Sequence, residues 1–297
     1  MLSQYRRRKT TRKPHSHSYR QLQLRDTAMS LTFNSTNVND ITAAINDACV
    51  SVVNTYEQAT EKYQQTAEVK PDQIATALEQ FVDIMQMVEI DYASKLIVSN
   101  SPEKFTINYH DDGEQDPLSK DEISEIGNYG LELIQNLSEW AGNLDMPEEK
   151  HHLHTIMVVV ALWVARRGGY LTTIDTVVDT LAAMANACYE PHILAELSDV
   201  MGELINAVSQ DVKKQKVESD SLQPWRILNI NRGIIATRTH DPQIMEPVFD
   251  QLVHNIPEDA SMFFEQGMQQ MEELDYPTNV REVMNRYYRT YSARVLH

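Results

Sequence analysis

Glycine is scarce in this chain, with nine residues in 297. Phosphate-cradling loops, sharp strand-to-helix elbows and tight hairpins depend on it, because glycine alone enters left-handed backbone conformations freely. Nucleotide-binding and α/β-hydrolase architectures are therefore not expected. The sequence contains no Gly-x-Gly-x-x-Gly, Walker A or Gly-x-Ser-x-Gly motif, and no His-Glu-x-x-His. Cysteine is rarer still. Cys49 and Cys188 are too far apart for any metal or redox spacing, and each falls in an apolar helical pattern, so both are read as small buried hydrophobes. That usage points to a reducing compartment, and the cytoplasm is expected. Long apolar runs are missing too. The apolar run through Met157–Ala165 is about half of what a bilayer span requires, and residues 1–30 carry no apolar signal core.

Basic residues are few outside the first thirty positions. Residues 1–30 hold eight Lys/Arg and one acid, Asp26, about +7. Taking that from the total of −17 leaves about −24 for residues 31–297. A body so acidic repels nucleic acid and anionic membranes, so nucleic acid is not expected as a partner except through the 1–30 arm. Three readings of the arm compete. Translation could start at Met29, the segment could be a solvated basic arm that touches RNA, anionic lipid or an acidic partner, or it could be an Arg- and Ser-rich transit peptide. It is set aside from the fold.

What the chain does contain is helix-forming sequence. Hydrophobic residues make up 42%, enough for a substantial core. Apolar positions recur at 3.6-residue spacing from Ile41 to Val53 and from Ile74 to Ile97. Ser119-Lys-Asp-Glu122 reads as a capping box that starts a third helix. The run Thr155–Ala165 is apolar all round, which predicts a helix buried on most sides, stopped by Gly168-Gly169. Proline falls at or near helix starts at 71, 147, 191, 224, 242, 257 and 277. The expected fold is all-α, with about ten antiparallel helices stacked as helical hairpins, either α-solenoid-like or an irregular helical bundle. The expected organisation is an N-terminal helical hairpin over 31–100, a long acidic loop over 101–118, and a helical-hairpin array over 119–297.

Four constellations are candidates for function. Glu148, His151, His152 and His154 form the metal candidate at a helix start, where Glu148–His151 and Glu149–His152 both have Glu-x-x-His spacing, although no such pair occurs elsewhere in the chain to complete a dinuclear bundle site. Asn108-x-His110-x-Asp112 echoes a calcium loop, but Ser119 stands where the bidentate Glu belongs. Lys213, Lys214, Lys216, Arg226, Arg232 and Arg238 gather positive charge in an acidic chain, suited to an anionic ligand or an acidic partner, or to internal ion pairs. Gly233, beside Arg232, could let another backbone approach. Arg281, Tyr288 and Arg289 lie off the apolar stripe of the last helix and have the composition of an interface, with Phe263 and Phe264 as packing partners for its tyrosines.

The functional expectation is a non-enzymatic helical scaffold or protein-interaction module that binds a protein partner or itself, with no cofactor and no membrane span. A metal-binding protein or enzyme built on the Glu148/His151/His152/His154 cluster is one alternative. A binder of an anionic ligand through Lys213–Arg238 is another.

Overall fold

A computed structural model describes residues 36–59, 69–99, 118–214 and 223–292. The chain is all-α, with eleven helices among the described residues: α1 (Val38–Gln58), α2 (Pro71–Ser99), α3 (Lys120–Asn143), α4 (Pro147–Arg166), α5 (Asp175–Ala187), α6 (Pro191–Ala207), α7 (Gln210–Lys214), α8 (Pro224–Arg238), α9 (Pro242–Asn255), α10 (Pro257–Glu273) and α11 (Thr278–Ser292). The eleventh arises because α6 does not fade into the lysines after it. It stops at Ala207, Val208 makes an isolated parallel bridge with Leu171, and the short α7 follows. The 1–30 arm, loop residues 101–117 with the Asn108/His110/Asp112 pattern, and Lys216 lie outside the described residues.

Proline occupies the first position of α2, α4, α6, α8, α9 and α10. Its missing N–H costs nothing there, since that position has no intrahelical acceptor, and its fixed φ already suits a helix. The Ser119 box is reciprocal: Ser119 Oγ accepts from the Glu122 N–H at 3.2 Å, and the Ser119 N–H donates to Glu122 Oε2 at 2.7 Å. Past α4, Gly168 turns the chain with φ +78°, the left-handed conformation that closes a helix most cheaply on glycine.

Of the described residues, those of Leu31–Thr180 with Asn206–Val212 form one compact unit, and those of Leu181–Ile205 with Lys213–His297 form a second. In the first, α1 packs on α2 and α4, α2 on α3, and α3 on α4, which closes a ring of four helices. Side-chain contacts fix their directions. Gly127 near the start of α3 faces Val164 near the end of α4. Trp140 near the end of α3 donates its indole N–H to the Val69 carbonyl just before α2, at 3.1 Å. Ser51 in the second half of α1 bonds Glu149 in the first turn of α4. Successive helices therefore run up and down, as in a four-helix bundle. The all-apolar run of α4 is accounted for, because Thr155 through Val164 are all buried.

In the second unit α9 lies against α8, α10 and α11, and α10 packs along α11. Its core is aromatic. Phe249 meets Phe263, Phe264 and Tyr287 edge-on, with ring centroids 5.2–5.7 Å apart, the arrangement that ring quadrupoles favour.

Candidate functional site

In α4, Glu149 turns toward α1, where its Oε2 accepts the Ser51 hydroxyl at 2.9 Å. Leu153, between His152 and His154, is fully buried, so the helix start straddles the edge of the bundle. His151 and His152 are half-buried on its rim. Among the described residues, no group of three or more His, Cys, Asp or Glu side chains is placed to hold a metal ion, and the spacing shared by Glu148, His151, His152 and His154 does not become a convergent ligand set.

His154 has a different environment. Its Nε2 is buried with no hydrogen-bond partner. Burial, then the nearby Lys150 and His151, hold its pKa below the ordinary 6.5, against a smaller opposing pull from Asp179. The folded state thus favours the neutral ring. The unfolded chain binds the proton more readily, so the contribution of His154 to stability is present above about pH 6.5 and is lost as pH falls through that value toward the folded-state pKa. His154→Gln should lose less stability than the wild type between pH 7.5 and pH 5, measured by urea midpoints at both. Equal losses in the two proteins would remove His154 from the account.

Both cysteines are buried and neither forms a disulfide. Burial, reinforced by the negative charges of Glu79 and Glu149, pushes the Cys49 thiol up to about 12. Burial also raises Cys188, whose Sγ lies 3.4 Å from Glu190 Oε2. Nucleophilic thiolate is scarce under such conditions. Iodoacetamide at pH 8 should leave both unlabelled in the folded protein and label both in urea. Rapid native labelling of Cys49 would show that the bundle opens locally.

The arginines of α8 are turned inward. Arg226 pairs with Asp259 at 2.6 Å and Glu258 at 3.1 Å, both in the first turn of α10, where acids also suit the helix dipole. Arg232 donates from Nε to the Ser198 carbonyl at 2.8 Å and from Nη1 to Gln251. Its guanidinium lies flat on α6 at Gly202, where a Cβ would come within 2.6 Å of Nη2. Burial lowers the Arg232 pKa, yet an arginine stays charged, so these contacts answer its desolvation. Arg238 donates to the Ala185 and Cys188 carbonyls, at 2.8 and 2.5 Å, at the C-terminal end of α5, where a cation complements the dipole. Gly233 admits a side chain rather than a backbone: a Cβ there would meet the Phe263 ring at 2.6 Å and Leu252 at 3.0 Å. Lys213 sits over the Trp225 ring, 5.9 Å from its centre, a cation–π contact.

On α11, Arg281 bends back to the segment before the helix and donates from Nε to the Tyr276 carbonyl at 2.9 Å. Tyr287 enters the aromatic core and donates its hydroxyl to Asp250 Oδ1 at 2.6 Å. Burial and that carboxylate raise its pKa. Tyr291 stacks on Tyr287 and Phe264. Tyr288 is half-buried and Arg289 exposed, so this helix covers a core with one face and leaves Arg289 outward.

Two features were not singled out from sequence. The first is a part-buried polar knot at the C-terminal end of α4. Glu89 of α2 accepts the Trp163 indole N–H at 2.9 Å and the Arg167 Nε at 2.8 Å on one oxygen, and Arg167 Nη2 at 2.6 Å on the other. The second is a surface. On α3 the exposed positions Asp121, Glu122, Glu125, Tyr129, Glu132 and Glu139 fall on one face of the helix. Only one basic residue, Lys120, stands in the whole helix. Tyr129 is 53% exposed. On neighbouring α2, Met87 is 60% and Ile90 69% exposed. Phe81 lies against Gly130, and the helices run antiparallel, so Met87, six residues or about 9 Å further along α2, is level with the first turns of α3. An exposed methionine on one helix thus lies level with an acidic face on the next, while Ile90, nine residues from Phe81, lies on the opposite side of α2. The one-signed 3–4 spacing of α3 was the available signal for this surface.

No family model, curated protein or solved structure matches the chain.

Proposed function

We propose that this protein is a helical interaction module that binds a protein partner through the outward face of α2 and α3. The observation that carries the reading is exposed Met87 on α2 at the level of the acidic face of α3, which includes exposed Tyr129. Apolar anchors rimmed by charge of one sign suit a protein surface, because the anchors contribute desolvation while the charges steer and select the partner. An acidic rim favours a partner segment of basic charge. The arginines and the α11 tyrosines described above take part in packing, so they support this reading less than the α2/α3 face does. No helix among the described residues is long and apolar enough to cross a membrane.

The test is quantitative affinity capture from cells with wild type and a Met87→Ser, Glu125→Lys, Glu132→Lys variant of the full chain. All three positions are exposed, so circular dichroism and thermal melting should match the wild type. The expected result is loss of one or more specific partners. A well-folded variant that retains the complete wild-type partner set would overturn the proposal.

A further inference from the structure

We draw no further inference here: the strongest candidate, the apolar and acidic outward face of α2 and α3, is the surface already assigned to the proposed function, and nothing in the structure shows what covers it.

Discussion

Trp163→Ala is expected to destabilise the protein by about 3–5 kcal/mol, the range for truncating a fully buried aromatic. Trp163 is 0% exposed and sits in the all-buried run of α4. Two effects combine. The lost indole leaves a void among side chains that cannot collapse fully, and the Glu89 carboxylate loses one of its donors. The second effect is the smaller, because Arg167 still holds both Glu89 oxygens and the Glu89 side chain is 30% exposed, so water screens and partly replaces the missing bond. Trp163→Phe separates the two. It keeps much of the volume, removes the N–H donor, and should cost distinctly less than alanine. For a unit of this size a loss of 3–5 kcal/mol lowers the melting temperature by roughly 6–20 °C. Urea denaturation of the three proteins gives the comparison. An alanine variant within 1 kcal/mol of wild type would mean that α4 is not the buried centre of the bundle.

The distinction between Trp163 and Glu89 also marks how far the sequence could be read. Burial of α4 was legible, because a run with no polar face has nowhere to go but inside. The capping box at Ser119, the proline starts and the glycine stop after α4 were legible for the same reason: each is a local device whose geometry is complete within four or five residues. The Glu89 knot was not. Its partners lie 74 and 78 residues away, and only the closure of α1–α4 into a ring brings them together. The arginines of α8 show the same limit. Their accumulation in an acidic chain was plain in sequence, but whether they serve a ligand or the fold depended on acceptors 19 to 53 residues distant. Charge density along the chain does not reveal whether the acceptors are already present. Nor does it show that Gly202 leaves α6 open just where the Arg232 guanidinium lies.

The four-residue cluster at the start of α4 failed to converge for a related reason. Glu-x-x-His spacing aligns two side chains on one helix, but a metal ion needs ligands from facing helices. Here Glu149 faces a serine on α1, and the buried nitrogen of His154 has no acceptor. The histidine is therefore better understood as a group kept neutral by its surroundings. Its expected signature is a stability that depends on pH.

Close helix approach is the other determinant that sequence periodicity does not reveal, and Gly130→Ala tests it directly. On helix propensity alone the substitution should stabilise α3 by about 0.5–1 kcal/mol. The structure gives the opposite sign. A Cβ at Gly130 would stand 2.3–2.7 Å from three atoms of the Phe81 ring, and Phe81 is 2% exposed, with no space to swing away. Overpacking of this kind costs typically about 1–3 kcal/mol, so the expected net result is destabilisation, because either the ring leaves its place or α2 moves off α3. The double variant Gly130→Ala, Phe81→Leu supplies the control. Shortening the side chain opposite the new methyl should make the pair less damaging than the sum of the two single changes, since residues in contact couple while distant ones add. Urea midpoints of the four proteins close the cycle. Additivity, or a stabilising Gly130→Ala, would show that α2 and α3 stand further apart than this contact requires, and the register that sets Met87 level with the acidic face of α3 would fall with it.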